Sequence, residues 1–160
     1  MKHILIIGSA NADFTIHADR LPRLGETLPG RDFSVNIGGK GLNQAIAVQK
    51  LGGQAAFLGA VGHDMNGALL LKAMADQSIS FHGICSDKES TGIALITVVK
   101  GDNCILLHPG ANSCMRTEVI REKNIFAPDI LIDMMRHPEL IAFESAEMGI
   151  PEHYHAFYKD

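Results

Sequence analysis

The feature that most constrains this chain is an alternation of short, wholly apolar runs with amphipathic segments. Ile4 to Ile7 is an unbroken apolar run closed by Gly8-Ser9. A run with no polar alternation is the pattern of a strand covered on both faces. Leu42 to Leu51 keeps its apolar residues on one helical face and ends at Gly52-Gly53, which predicts a helix with a glycine stop. Ala55 to Val61 reads as a second buried strand. Asn66 to Gln77 reads as a second helix that sends Leu69, Leu70, Leu71 and Met74 into the core, and Ile79 to Ile84 as a third strand. Thr117 to Lys123 is expected to be a short helix and Ile130 to Asp133 a short strand. Strands alternating with helices predict a parallel, helix-covered α/β sheet.

Two stretches break this rhythm. Residues 14–37 hold Pro22, Gly25, Pro29 and Gly30 between short alternating runs, Phe14 to His17 and Phe33 to Ile37. Ile93 to Val99 and Cys104 to His108 flank Gly101-Asp102-Asn103, the composition of a hairpin. Together these stretches predict an extra β layer attached to the α/β core.

Composition then excludes several classes. A chain of 160 residues is long enough for one domain with a real core. A net charge of −4 lacks the basic footprint of a nucleic-acid binder. No apolar run approaches the roughly 18 residues of a membrane span. The N-terminal apolar run is too short for the core of a secretion signal. Cys85, Cys104 and Cys114 are odd in number and form no CxxC, so they are expected to be reduced thiols in a cytoplasmic protein. His153 and His155 resemble half of a metal pair, but two ligands without a third do not make a zinc site, and no metal is expected.

The most informative stretch is Gly38-Gly39-Lys40-Gly41-Leu42-Asn43. Adjacent glycines before a helix allow a ligand to approach the backbone, because no Cβ intervenes. The helix start offers N–H groups, and Lys40 and Asn43 add a cation and an amide within its first turn. Such a nest can hold a polyol or an anion. It is not a P-loop, since neither Ser nor Thr follows Gly-Lys, and it is not GxGxxG, since Gln44 stands at the last glycine position. On these residues alone a ligand nest and a structural turn both remain open.

The wider pattern resembles a known family. Gly38-Gly39-Lys40-Gly41-x-Asn43-x-Ala45, followed by Gly52 and Gly62, resembles the first signature of the ribokinase-type (phosphofructokinase B) carbohydrate kinases. Other motifs agree with it in order: Gly8-Ser9-Ala10-Asn11-Ala12-Asp13, Pro22-x-x-Gly25-Glu26-Thr27, Gly62-His63-Asp64-x-x-Gly67, Ser90-Thr91-Gly92-Ile93-Ala94 and His108-x-Gly110-Ala111-Asn112. The Gly-Gly-Lys-Gly and Asn-x-Asp forms look closer to the ribokinase branch than to fructokinases or adenosine kinases. The resemblance covers about residues 3–132.

It implies a ribokinase-like fold: a truncated Rossmann-like parallel sheet with helices, plus a small β-sheet lid whose strands lie within 14–37 and 93–108. A sugar would lie between core and lid. Asp13 matches the acid that accepts hydrogen bonds from two sugar hydroxyls, and Asn11 a neighbouring amide on the same sugar. Gly38 and Gly39 match backbone that the sugar approaches. Lys40 and Asn43 match side chains that bond its hydroxyls. The implied activity is ATP-dependent phosphoryl transfer to a hydroxyl of a ribose-like sugar, with Mg²⁺, and the implied partners are the sugar and a second copy of the chain paired through the lid sheet. Without the resemblance, Asp13 reads as a turn or cap residue, Asp64 as a loop former, and Asn112 as a turn residue or N-cap.

One family motif is missing. The catalytic base of these kinases is an Asp in a Gly-Ala-Gly-Asp motif, and no Gly-x-Gly-Asp occurs in these 160 residues. Met135 stands where the family often carries a sugar-contacting Glu. Residues 134–160 also change in texture, holding five acids against two bases. These features divide the chain into 1–133, the N-terminal part of a kinase domain, and a divergent tail, 134–160, such as a frameshift, truncation or fusion would create. No catalytic residue is assigned, and ATP and Mg²⁺ are not expected to bind this chain strongly. The alternative is a non-catalytic sugar-binding or dimerising fragment. A small Rossmann-like nucleotide binder fits less well, for want of GxGxxG.

Overall fold

The computed structural model describes residues 3–116, residues 118 and 120, and the backbone strand at 142–143. Two sheets organise it. The core sheet centres on β1 (His3–Ile7), which pairs in parallel with β4 (Gln54–Leu58) on one side and with β10 (Ala142–Phe143) on the other. β4 pairs in turn with β6 (Ser80–Phe81), giving the order β10-β1-β4-β6. The helices α1 (Lys40–Lys50) and α2 (Met65–Asp76) supply the connections between these parallel strands.

The alternation of side chains along β1 explains why its apolar run is unbroken. Ile6 packs with Phe57, Leu42, Leu70 and Met74 beneath the two helices. Leu5 and Ile7 face the other way, onto Leu58, Ala111 and Met115. Both faces are therefore covered, and each such buried side chain contributes about 1.5–3 kcal/mol. α1 ends as its sequence predicts, with Gly52 at φ +83 and its N–H bonded to Gln49 O. Leu70 and Met74 are core, whereas Leu69 lies on the solvent side of α2. A helix turns about 100° per residue, so three consecutive leucines cannot share one face.

Two expected strands are each broken in two. Ala55–Val61 divides at Gly59 into β4 and β5 (Ala60–Gly62). Ile79–Ile84 divides into β6 and β7 (Ile84–Ser86), with Ile79 buried just before β6. β5 and β7 pair in parallel as a separate two-stranded ladder. The reason lies at two glycines. A Cβ on Gly83 would stand 1.9 Å from Gly59 O, and one on Gly59 would stand 2.7 Å from Gly8 O. The chains close to backbone contact there and swing together out of the core sheet.

The second sheet has the order β3-β2-β8-β9 and is the extra β layer expected from the broken rhythm. It comprises β2 (Asn11–Ala18), β3 (Arg31–Gly38), β8 (Gly92–Val99) and β9 (Asp102–His108). β2 and β8 pair in parallel, and the two outer ladders are antiparallel. The hairpin turn between β8 and β9 is Lys100-Gly101, at φ +52 and +84, rather than Gly101-Asp102-Asn103. Two consecutive left-handed residues match the right-handed strand twist, so a two-residue turn closes the hairpin and Asp102 and Asn103 join β9. Of the expected helix over 117–123, residues 118 and 120 are helical; its remainder and the strand at 130–133 lie outside the described residues.

Candidate functional site

A cleft of about 310 Å³ opens between the inner face of the second sheet and the start of α1. Its polar residues come from three places. Asn11 and Asp13 are two apart on β2, so strand periodicity turns both to the same face. Lys40 and Asn43 are three apart in the first turn of α1, so helical periodicity turns both the same way. Gly39 is the N-cap between β3 and α1, at φ +90. All five line the cleft, together with Ser9 and Asn112. Beside Asn11 and Asp13, on the same face of the sheet, the lining is apolar: Ala94 and Ile96 of β8 with Ile105 and Leu107 of β9. Convergent polar groups next to an apolar patch suit a small ligand that offers both hydroxyls and C–H groups.

Gly38 is the one predicted site residue that does not line the cleft. It lies behind Asp13, where a Cβ would come within 2.0 Å of Asp13 Oδ2. Its bare Cα makes room for the carboxylate. Gly39 meets the backbone in the same way, since a Cβ there would lie 2.5 Å from Ser9 O. Gly41 lies against Gly8, where a Cβ would come within 2.6 Å of the Gly8 Cα. The glycines thus seat the start of α1 against the turn after β1. Leu42 N–H donates to Ser9 O at 3.1 Å, a backbone bond in place of a side-chain cap.

Asp13 is the electrostatic centre of the cleft. Its Oδ1 is buried and has no hydrogen-bond partner. Burial pushes the carboxyl above its ordinary value of 3.8. Buried oxygens without partners are uncommon in folded proteins, and one on a residue that lines a polar cleft marks an acceptor for a ligand donor.

Asn112, which the motifs marked but to which no site role was given, lines the cleft as well. It lies in the 3₁₀ helix Gly110–Cys114 that follows β9. Its Oδ1 accepts from Ala10 N–H at 3.0 Å, and its Nδ2 donates to Asn11 Oδ1 at 2.9 Å, Pro109 O at 3.0 Å and Ala10 O at 3.2 Å. It is a turn residue, as expected, its own N–H donating to Pro109 O at 3.1 Å, but the N-cap is Pro109. The signal available was Gly110, whose φ of +50 marks a tight chain reversal that carries Asn112 back under β2.

Asp64 takes a role beyond a loop former. It is the N-cap of α2, accepting from Gly67 N–H at 2.7 Å. It also accepts from Thr91 N–H at 2.8 Å and from the Thr91 hydroxyl at 2.6 Å. Thr91 is fully buried and directly precedes β8, so this carboxylate ties the core helix to the root of the second sheet.

Among the described residues no three His, Cys, Asp or Glu side chains converge to hold a metal ion. At the α1 start, the N–H groups of Leu42 and Asn43 are taken by Ser9 O and Gly39 O, so this turn does not form a phosphate cradle. No step is assigned through ATP or Mg²⁺. His153 and His155 lie outside the described residues. Among the described residues no helix is long and apolar enough to cross a membrane.

Comparison with known proteins gives this architecture a context. The family described as pfkB family carbohydrate kinase matches residues 1–132. The ribokinase of Haemophilus influenzae is 37% identical over 141 residues, covering 86% of this chain and 46% of that protein. The chain thus spans about half the length of such a relative. Among solved structures, the ribokinase of Thermotoga maritima superposes with a TM-score of 0.75 at 26% identity, over 98% of this chain and 57% of its own. The ribokinase of Arabidopsis thaliana, solved with ribose and ATP, superposes with a TM-score of 0.60 at 33% identity, over 69% of this chain and 36% of its own. With a lid sheet over an α/β core and a family match across most of its length, the chain belongs to the pfkB family of carbohydrate kinases.

Proposed function

We propose that the cleft is the sugar-binding half of a carbohydrate kinase site and that it takes a ribose-like pentose for phosphorylation by ATP. The observation that carries this reading is the buried, unpartnered Oδ1 of Asp13, set among Asn11, Lys40 and Asn43. An ionised carboxylate only accepts, and a sugar offers adjacent hydroxyl donors. In this reading Asp13 holds two hydroxyls and Asn11 and Asn43 bond the same ring. Lys40 donates to a ring oxygen or hydroxyl. Gly39 lets the sugar reach the backbone, and Gly38 makes space for Asp13. The apolar residues of β8 and β9 cover the C–H face. The Arabidopsis relative solved with ribose and ATP supports the choice of sugar.

The 160-residue chain contains no Gly-x-Gly-Asp and so no recognisable base for the attacking hydroxyl. We therefore expect it to bind sugar without turning over ATP. The family match covers residues 1–132, and the backbone strand at 142–143 beyond it pairs with β1 in the core sheet. The test is calorimetry with D-ribose on the whole chain and on Asp13→Ala, beside an ADP-release assay with Mg²⁺ and ATP. Binding by the parent and none by the variant is expected, with no ADP. Equal binding by both proteins removes Asp13 from the site, and turnover at ordinary kinase rates overturns the reading of an inactive chain.

A second reading, pairing of two copies through the second sheet, rests on its outer face. Phe33 is 63% exposed and Leu106 73% exposed, and Leu95 and Val35 beside them are also open to solvent. An apolar face of this kind marks an interaction surface.

A further inference from the structure

We propose that Asn112 is the positioning residue of the cleft: its amide fixes the orientation of the Asn11 amide, so that Asn11 presents its Nδ2–H donors to the ligand. This rests on the reading of the cleft as a sugar site.

The orientation of an asparagine amide is set by its hydrogen bonds. Asn112 itself cannot flip. Its Oδ1 accepts from Ala10 N–H, a donor that a flipped amide would face with its NH₂ group. Its Nδ2 points at the carbonyls of Ala10 and Pro109, two acceptors that a flipped amide would face with an oxygen. The Nδ2 has two protons for three acceptors, so the shortest contact, to Asn11 Oδ1 at 2.9 Å, takes one, and the carbonyls of Pro109 and Ala10 share the other. That contact uses the acceptor end of Asn11. The end left for a ligand is the donor end, the complement of Asp13, which only accepts. The cleft therefore carries a donor and an acceptor two residues apart on one strand, and the pairing is imposed from behind by a residue 101 positions away.

The packing makes the arrangement specific. A Cβ on Gly92 would lie 2.3 Å from Asn112 Nδ2 and 2.4 Å from Asn11 Oδ1. Only glycine at the root of β8 leaves space for the two amides to meet. Both asparagines are buried, so water does not compete for the bond. Asn112 also joins Ala10, before β2, to Pro109, after β9, so one amide ties together the roots of the two strands that frame the cleft.

The decisive variant is Asn112→Asp. A carboxylate still accepts from Ala10 N–H but cannot donate to Asn11 Oδ1. Asn11 should then turn its Nδ2 inward to the new acceptor and present Oδ1 to the cleft. The expected readout is a shift of the Asn11 side-chain amide signals in ¹⁵N–¹H spectra of the whole chain without ligand, with slower exchange of those protons. D-ribose affinity should fall by about tenfold, the value of one buried hydrogen bond replaced by an acceptor facing an acceptor. In the Asn11→Ala background Asn112→Asp should cost less than about twofold more, because the two residues act as one unit.

Unmoved Asn11 amide signals in Asn112→Asp, or losses of affinity that simply multiply in the double variant, overturn the proposal. Should Asn112→Asp fail to fold, the wild-type spectrum decides. Nuclear Overhauser contacts of the Asn112 amide protons to Ala10 and Pro109, with Asn11 amide protons that shift when D-ribose is added, support it; Asn11 amide protons that stay unmoved while D-ribose binds overturn it. If the parent chain binds no D-ribose, the sugar reading fails while the amide signals still judge the orientation.

Discussion

The carboxylate of Asp13 occupies the space in which a side chain on Gly38 would begin: a Cβ there would lie 2.0 Å from Oδ2 and 2.3 Å from Cγ. The two residues sit on adjacent strands, Gly38 opposite Asn11 and Asp13 opposite Asn36. Gly38→Ala should therefore displace the carboxylate without touching any other polar residue of the cleft. D-ribose affinity should drop by at least about tenfold, with a stability loss of about 1–3 kcal/mol from overpacking. Calorimetry and thermal melts check the two effects separately; unchanged affinity would show that Asp13 does not need this position.

The raised pKa of Asp13 gives two pH dependences of opposite sign. Burial lifts the folded value above 3.8, so between 3.8 and the raised value the folded form binds more protons than the unfolded chain. Stability contributed by this group then rises as pH falls through that window. Sugar binding needs the carboxylate and weakens over the same window. Asp13→Asn should remove both dependences, melt no lower than the parent at neutral pH, and bind D-ribose at least about a hundredfold more weakly, given hydrogen bonds to a charged group of roughly 1.5–3 kcal/mol each. Melting curves and titrations from pH 4 to 7 test this.

Asp64 should behave in the reverse sense. Burial pushes its carboxyl up, but the Thr91 hydroxyl and the N–H groups of Thr91, Gly67 and Asn66 together hold it below 3.8. Its stability contribution is present above 3.8 and is lost as pH falls through the depressed value. Asp64→Ala should cost about 2–3 kcal/mol at neutral pH, combining a lost N-cap with a buried donor left unpaired at Thr91. Urea unfolding at neutral and acid pH provides the measurement, and a cost below about 0.5 kcal/mol would contradict the cap.

The Lys100-Gly101 turn carries a lysine at φ +52. Lys100→Asn supplies the residue that tolerates this region best and should raise stability by about 0.5–1 kcal/mol; Gly101→Ala should lower it by a similar amount. Thermal melts of both variants distinguish this from a turn centred on Asp102.

Leu106→Lys on the outer face of the second sheet should abolish self-association while leaving D-ribose affinity within about twofold, since Leu106 faces away from the cleft. Sedimentation reads the outcome. A protein that is monomeric before the change removes the pairing proposal.

The α/β core was legible in the sequence because local signals and burial agree there. An unbroken run at Ile4–Ile7 implies cover on both faces, and Gly52 ends α1 by its own conformational freedom. The breaks at Gly59 and Gly83 were not legible, because they arise from the approach of two backbones 24 residues apart, which no local pattern records. The site divides in the same way. Strand and helix periods alone place Asn11 with Asp13 and Lys40 with Asn43, and the motif pattern marks the glycines. What each glycine accommodates, a carboxylate at Gly38 and a backbone carbonyl at Gly39, depends on the tertiary fold. So does Asn112, which reaches Asn11 only because β8, β9 and the 3₁₀ helix return the chain beneath β2. The sequence determines which residues can carry charge, donors and tight turns. Tertiary structure decides which of them meet, since hydrogen bonding and close packing act at distances of a few ångströms regardless of separation along the chain.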